Sequence, residues 1–189
     1  MTWQEAVQQA TDLRHWFHQH PELTWEEHNT AEKIRLCLSQ WNIDWRACAE
    51  LGTVAIIAKE AKSNNPQCKN IALRADMDGL PVLEDNDLPF KSTVRGEFNG
   101  QDVPVMHACG HDTHMAMLMG AAKILTDMQD ELIGQVKFIF QPAEEGSPEG
   151  EVGGAEIMVK EGVLKNPDVD AIFGLHISSA TDVGQVRWR

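Results

Sequence analysis

Five side chains of the kinds that bind transition metals lie in one short segment, HACGHDTH at 107–114. They are His107, Cys109, His111, Asp112 and His114. Thiolate, imidazole and carboxylate groups are the usual ligands of zinc and related ions. Cys109 and His111 flank a glycine, whose free backbone lets both side chains aim at one point. This density predicts a metal site that includes Cys109 and His111, with His107 and His114 as weaker candidates.

Further reactive side chains follow apolar segments elsewhere in the sequence. Glu144 and Glu145 come after VKFIFQ, and His176 ends the segment DAIFGLH. Neighbouring carboxylates can divide two tasks, one binding metal and the other transferring protons. The alternatives are an acidic surface turn for the pair and a buried, neutral histidine for His176. Asp76 and Asp78, in RADMDGLP, either orient a histidine ligand or cap the turn that follows them.

The spacing of apolar residues indicates which elements position these groups. Helices are predicted at 3–19, 26–41, 113–129 and 154–164, and strands at 53–58, 71–73, 135–140 and 170–175. Asp112 is expected to cap the third helix. Asn99-Gly100 is expected to turn a hairpin-like excursion over 84–105, and the polar stretch 59–70 to form a surface loop. Alternating strands and helices predict an α/β fold with a mostly parallel sheet flanked by helices, whose carboxyl-terminal edge binds ligands.

The remaining histidines and cysteines give a weaker signal. His15, His18 and His20 have no cysteine or carboxylate at ligand spacing, so they are expected to pack near the domain edge. Cys37 lies on the apolar stripe of a predicted helix and is expected in the core. The four cysteines form no CxxC pair, and free thiols without a signal-peptide pattern predict a cytoplasmic protein.

Length, charge and missing motifs limit the class of function. The chain has 189 residues, enough for one domain, and a net charge of −13. Such a charge disfavours binding to nucleic acid. No apolar run approaches the ~20 residues that cross a bilayer, so no membrane role is expected. The sequence has no P-loop, GxGxxG, GxSxG or HExxH motif, which argues against nucleotide binding and serine catalysis.

Five segments, taken together, resemble the N-acyl-amino-acid amidohydrolases. In order they are RADMDGLP, MHACGHDTHMAMLMGAA, FQPAEEG, GGAEIMVKEGVL and DAIFGLH, and HQHPEL at 18–23 is similar to the N-terminal signature of the same group. The group includes hippurate hydrolases, aminoacylase-like enzymes and plant hydrolases of indole-acetyl-amino acids. It is part of the co-catalytic metallopeptidase family of carboxypeptidases and dipeptidases. The resemblance covers nearly the whole chain and implies metal-dependent hydrolysis of the amide bond of a small N-acyl amino acid.

The resemblance also implies roles for individual residues. Cys109 would bridge two divalent ions, zinc or manganese, with His111 and His176 completing one site and Glu145 binding the other ion. Glu144 would be the general base that takes a proton from the attacking water and returns it to the leaving amine. Asp76 would be an orienting or supporting carboxylate. The products would be a carboxylic acid and a free amino acid.

The chain departs from this group in its length. Members are about twice as long and carry an inserted lid-like dimerisation domain, near whose expected start this sequence stops. Residues 1–189 are therefore expected to form the N-terminal part of an incomplete catalytic domain that lacks the lid and a later histidine ligand. Alone, the chain is expected to be weak or inactive and to expose apolar surface or a sheet edge. The full-length form would be a possible homodimer. The alternatives are a dipeptidase or carboxypeptidase of the same superfamily and a non-catalytic metal-binding or interaction protein.

Overall fold

The computed structural model describes residues 2–57, 68–146 and 150–188. Within these ranges the helices are α1 (Trp3–Gln19), α2 (His28–Gln40), α3 (His111–Asp127) and α4 (Gly154–Lys160), with a 3₁₀ turn at Gln129–Glu131. The strands are β1 (Trp45–Cys48), β2 (Gly52–Ile57), β3 (Ile71–Asp76), β4 (Arg95–Phe98), β5 (Gln101–Pro104), β6 (Val136–Gln141) and β7 (Ala171–Gly174). None of the helices in this part of the chain is long and apolar enough to cross a membrane. The predicted loop at 59–70 falls largely on residues outside the described ranges.

Five strands form one sheet in the order β1-β2-β6-β3-β7. Strand β3 lies parallel to both β6 and β7, while β1 and β2 join the sheet antiparallel. The predicted α/β fold with flanking helices is confirmed, and the sheet is mixed, because its parallel pairing is confined to β6, β3 and β7. Those three strands end at the same edge, so their last residues and the loops that follow them lie together.

Alternate side chains of the strands enter two apolar clusters on opposite faces of the sheet. Phe138 and Phe140 of β6 belong to the cluster that includes residues of α1, α2 and α3, whereas Ile139 between them belongs to the cluster that includes Met158 of α4. Cys37 belongs to the larger cluster, as predicted. Strand β1 was not predicted, because its first residues are exposed and WRAC shows no clear alternation of apolar residues.

The start of α3 differs from the sequence-based expectation. The helix begins at His111, and its N-cap is Gly110 with φ of 88°, not Asp112. Asp112 lies in the first turn, where its buried carboxylate faces α1 instead of capping the backbone. Gly110 is required for two reasons: its φ is left-handed, and a Cβ there would overlap the side chain of Ile177. The segment after β7 can therefore lie directly against the start of α3.

The β4–β5 hairpin and the exposed edge strand β7 agree with the expectations from the sequence. Strands β4 and β5 are antiparallel, and Asn99 and Gly100 between them have positive φ of 54° and 74°. Strand β7 lies at one end of the sheet order. There Ile172 and Phe173 are 50% and 60% exposed, which is the exposed apolar edge that was predicted.

Lys137 is a buried cation on β6 that the apolar pattern does not reveal. Its ammonium group donates to the backbone oxygens of Val163, Lys165 and Pro167 at 2.8, 2.8 and 3.1 Å. The three oxygens belong to the turns that follow α4, where the predicted helix to 164 ends early at Lys160. Lys137 therefore attaches these turns to the sheet by satisfying carbonyl groups that would otherwise lack a donor.

Replacement of Lys137 by methionine should lower the free energy of unfolding by about 2–3 kcal/mol, because three carbonyl groups lose their buried donor. Urea denaturation measures this change. Lys69→Met is the matched control, since Lys69 is exposed and pairs with Asp170 at 3.3 Å on the surface; its effect should stay within about 0.5 kcal/mol. Equal losses in the two variants would contradict a structural role for Lys137.

Candidate metal centre

The structure brings the predicted site residues together beyond the carboxyl ends of β3, β6 and β7. Cys109 Sγ lies 3.3 Å from His176 Nε2. His111 Nε2 lies 3.5 Å from Glu145 Oε1 and 3.7 Å from Glu144 Oε2. The candidate ligand atoms form three groups that share His111: Cys109-His111-His176, His111-Glu144-Glu145 and Asp76-His111-His114. In each group the atoms lie within 4.8 Å of one another.

The spacing of these atoms, and the lack of hydrogen-bond partners for several of them, fit a divalent cation. Ligands bonded at 2.0–2.3 Å in a tetrahedron are about 3.3–3.7 Å apart, which is the separation of His111 Nε2 from Glu145 Oε1. His111 is fully buried, and neither of its ring nitrogens has a hydrogen-bond partner among the described residues. Glu145 Oε1 is also buried without one. Buried polar atoms without partners are rare, and a bound metal ion would satisfy those that face the centre.

Asp78 orients the central histidine. Its Oδ1 lies 3.4 Å from His111 Nδ1, which leaves His111 Nε2 directed at the candidate site. Its Oδ2 accepts hydrogen bonds from the Thr24 hydroxyl at 2.7 Å and from the amides of Glu144 and Glu145, each at 2.9 Å. Burial by itself would raise the pKa of Asp78, but these donors and His111 outweigh burial and lower it. A carboxylate beside a ligating imidazole is the usual arrangement in metal sites.

Asp76 contacts two histidines: its Oδ2 lies 3.6 Å from His111 Nε2, and its Oδ1 holds His114. Asp76 Oδ1 lies 2.7 Å from His114 Nδ1, and His114 Nε2 accepts a hydrogen bond from the Ile177 amide at 3.0 Å. Since the amide can only donate, His114 carries its proton on Nδ1 and donates it to Asp76. Burial would raise the pKa of Asp76, but the bond with His114 and the charges of His111 and Arg74 lower it to about 2. Both nitrogens of His114 are engaged, so His114 supports the segment that carries His176 and is not free to bind metal.

His176 presents one nitrogen to the site. Its Nδ1 lies 2.5 Å from the backbone oxygen of Ile177, which makes Nδ1 the donor and leaves the Nε2 lone pair facing Cys109. The ring is exposed, so the alternative of a buried histidine is wrong, although its bond to the backbone is present.

The Cys109 thiol lies in a strongly acidic setting. Burial and the hydrogen bond and charge of Glu145 raise the pKa of Cys109 to about 12, with further contributions from Glu144 and Asp76. An excess of anionic ligands around one point attracts cations, and a coordinated thiol loses its proton to the metal. The electrostatics therefore fit a cation held between Cys109 and the two glutamates.

His18 forms a buried network that the sequence analysis missed. Its Nδ1 lies 2.8 Å from Asp112 Oδ2, and its Nε2 lies 2.9 Å from Glu84 Oε1. Arg14 Nε also contacts Asp112 Oδ2, at 3.0 Å. The network ties α1 to the first turn of α3, one residue from His111, so His18 does not simply pack at the domain edge. No sequence signal marked it, because its two carboxylate partners are 66 and 94 residues away.

The other predicted histidines have minor structural roles. His15 stacks on Phe90 at 3.9 Å between ring centroids, and His20 stacks on Trp16 at 4.4 Å. His107 is buried, and burial lowers its pKa to about 4, so it is neutral and packs beside the site.

Comparison with known proteins identifies the lineage of this fold and site. The sequence profile of peptidase family M20/M25/M40 matches residues 72–187. In structure, the chain is similar to a Bacillus subtilis protein described as a dinuclear metal-binding peptidase of the M20 family, with a TM-score of 0.76, 37% identity and coverage of 93% of this chain and 44% of that one. The chain belongs to this peptidase family.

The curated relatives differ in the substrates that their names give. Thermostable carboxypeptidase 1 of Saccharolobus solfataricus is 43% identical over 91% of this chain and 40% of its own length. IAA-amino acid hydrolase ILR1-like 5 of Arabidopsis thaliana is 39% identical over 94% of this chain and 36% of its own. N-acetylcysteine deacetylase of Bacillus subtilis is 39% identical over 93% of this chain and 41% of its own. The chain thus spans about 40% of the length of the relatives it matches.

The His18 network should make stability depend on pH in a defined direction. The hydrogen bond with Asp112 raises the pKa of His18, with burial opposing and Glu84 adding to the rise. Because the folded chain binds this proton more tightly than the unfolded chain does, protonation of His18 adds to the free energy of unfolding. The contribution is complete below the ordinary histidine pKa of about 6.5 and is lost as the pH rises through the raised pKa. The free energy of unfolding, compared with that of His18→Gln, should therefore show an advantage that declines above pH 6.5.

His20→Gln is the control for this measurement, because the exposed His20 ring contacts neither carboxylate. Its pH profile should run parallel to that of the wild type. An advantage of the wild type over His18→Gln that grows with rising pH would contradict the network.

Proposed function

We propose that residues 1–189 are the N-terminal part of a catalytic domain that hydrolyses the amide bond of N-acyl amino acids with two divalent metal ions. The observation that carries the proposal is the meeting of Cys109, His111, Glu145 and His176, which come from separate segments, at one edge of the sheet. His111 Nε2 is buried, makes no hydrogen bond among the described residues and faces Glu144 and Glu145, an arrangement that suits a shared cation. The dinuclear centre named for the similar Bacillus subtilis peptidase supports two ions.

In the proposed site, Cys109 would serve both ions, His111 and His176 would complete one position, and Glu145 would hold the other ion. Zinc or manganese suits this mixture of thiolate, imidazole and carboxylate ligands. When bound, such ions lower the pKa of a water molecule and polarise the substrate carbonyl. The resemblance implies one further histidine ligand, so we expect weak or no turnover from residues 1–189 alone.

Glu144 is proposed as the general base. Its side chain is 39% exposed, whereas that of Glu145 is 17% exposed, so Glu144 is the carboxylate that can exchange protons with water and substrate. Its backbone amide is held by Asp78, and its Oε2 remains 3.7 Å from His111 Nε2. From there it can take a proton from water during attack on the amide carbon and return it to the leaving nitrogen. Asp76 and Asp78 hold the histidines in place during these steps.

Two relatives favour an N-acyl amino acid as substrate. The names of the plant hydrolase and the bacterial deacetylase give an acyl group on an amino acid. The second candidate is a carboxypeptidase or dipeptidase, favoured by the 43% identity to thermostable carboxypeptidase 1. A homodimer in the full-length protein and a cytoplasmic location belong to the same proposal, the latter supported by four free cysteines. The net charge of −13 argues against nucleic acid as a partner.

Cys109 should be required for metal binding by the 189-residue chain. After chelator treatment, Co²⁺ should bind at two ions per chain and produce a thiolate charge-transfer band. Cys109→Ser should remove that band and weaken binding at least about 10-fold, because a hydroxyl is a much poorer ligand than a thiolate. Cys68→Ser is the matched control, since Cys68 is a free, half-buried cysteine outside the site. A band that persists in Cys109→Ser, or no binding by the wild type, would contradict the metal centre.

Substrate class and the role of Glu144 can be tested together in a full-length version of the protein. Its kcat/KM should be higher for benzoyl- or acetyl-amino acids than for dipeptides. Glu144→Gln should lower kcat about 10²–10⁴-fold while metal content stays unchanged, because only proton transfer is removed. Glu151→Gln, at an exposed position nearby, is the control and should be close to wild type. Preference for dipeptides would support the second candidate, and full activity of Glu144→Gln would refute the assigned base.

A further inference from the structure

The loop that carries the two glutamates is held through its backbone amides. The amides of Glu144 and Glu145 donate to Asp78, as described above. The amide just before them, that of Ala143, donates to Glu27 Oε1 at 2.7 Å. Three consecutive amides therefore end on two buried carboxyl groups, one after β3 and one at the start of α2.

Ala143 has an unusual backbone conformation. Its φ is 50°, in the left-handed region that residues with a Cβ seldom occupy. Its carbonyl oxygen accepts a hydrogen bond from the Gly154 amide at 3.2 Å, at the start of α4. Strained conformations persist where the surrounding contacts determine them, and they concentrate at functional sites. Here the two contacts are Glu27 on the amide and Gly154 on the carbonyl.

The buried position of Glu27 is energetically unfavourable for a carboxyl group. Its side chain is fully buried, and its Oε2 has no hydrogen-bond partner within the described residues. Burial of a carboxyl group is unfavourable unless a specific contact requires it. The specific contact here is the Ala143 amide, one residue before the glutamate pair.

We propose that Glu27 is a positioning residue for the metal centre: by accepting the Ala143 amide, it holds the left-handed turn that aims Glu144 and Glu145 at His111. The inference rests on the proposed function, because it takes Glu145 as a metal ligand. Glu27 itself touches neither a metal site nor substrate. Glu27 fixes the backbone conformation at Ala143, where the chain enters the site, while Asp78 accepts the next two amides.

The protonation state of Glu27 suggests a conservative replacement. Burial raises the pKa of Glu27 to about 8, against the opposing effect of the Ala143 hydrogen bond. The group is therefore an uncharged carboxylic acid at neutral pH, and glutamine copies both its shape and its acceptor oxygen. Leucine has a similar volume but no acceptor, so it removes the hydrogen bond to Ala143.

The test compares Co²⁺ binding by the 189-residue wild type, Glu27→Gln and Glu27→Leu. Glu27→Leu should weaken binding at one of the two sites by roughly 10–100-fold, the usual effect of losing a group that supports a ligand, and should shift the visible Co²⁺ bands. Glu27→Gln should restore both the affinity to within about threefold and the spectrum. Thr30→Val is the matched control, because its buried hydroxyl on α2 also lacks a partner in the described structure; it should leave both measurements unchanged.

A second measurement needs no variant that might fold poorly. The Ala143 amide of the wild type should exchange its hydrogen slowly, although it lies outside every helix and strand. Its nuclear magnetic resonance signal should also shift when Co²⁺ or Zn²⁺ is added. Rapid exchange at Ala143 would overturn the proposal even if Glu27→Leu did not fold.

The outcomes separate the two proposals. A folded Glu27→Leu protein with wild-type affinity and spectrum overturns the role of Glu27 and leaves the metal centre intact. The role of Glu27 is also overturned if Glu27→Gln binds as weakly as Glu27→Leu, because the acceptor oxygen would then not be what matters. A wild type that binds no Co²⁺ overturns the metal centre and the positioning role together.

Discussion

The carboxylate of Asp78 joins four segments that meet at the candidate centre. One oxygen faces His111 and the other accepts the Thr24 hydroxyl and two amides of the glutamate loop. These groups belong to the N-terminal segment, the start of α3 and the loop after β6, so Asp78, just after β3, brings four segments into contact. The constraint is electrostatic, because a buried carboxylate is unfavourable unless hydrogen-bond donors surround it. Here the surrounding groups are His111 and the glutamate loop, which the proposed centre needs in alignment.

Much of the site could be predicted because its ligands follow recognisable elements. Strands β3, β6 and β7 show clear apolar runs, and parallel strands must end at one edge, so the convergence of Glu145 and His176 on Cys109 follows from topology. The antiparallel joining of β1 and β2 could not be inferred, because strand direction depends on connections and partners that apolar periodicity does not encode. The division of labour between Asp76 and Asp78 was equally hidden: both lie beside His111, but only Asp76 also holds His114.

The supporting groups were harder to predict than the ligands. His18, Glu84 and Asp112 form one network, yet each alone resembles an ordinary surface or capping residue in the sequence. The sequence pattern favours Asp112 as the helix cap because an acidic residue at a helix start usually serves there; Gly110 supplies the cap and leaves the Asp112 carboxylate for His18. The role of Glu27 could not be predicted, because its partner is a backbone amide 116 positions later. Nearly every residue has such an amide, so the sequence does not mark this one.

The close approach of Ile177 to Gly110 has a consequence for how the centre assembles. The two segments are far apart along the chain, so the loop between them must close before Cys109 and His176 can meet, and closing such a loop costs entropy that local contacts do not return. An ion that binds only the closed arrangement would add its binding free energy to the native state alone. The concentration of available metal ions would then set the stability of the folded chain, independently of any reaction at the site.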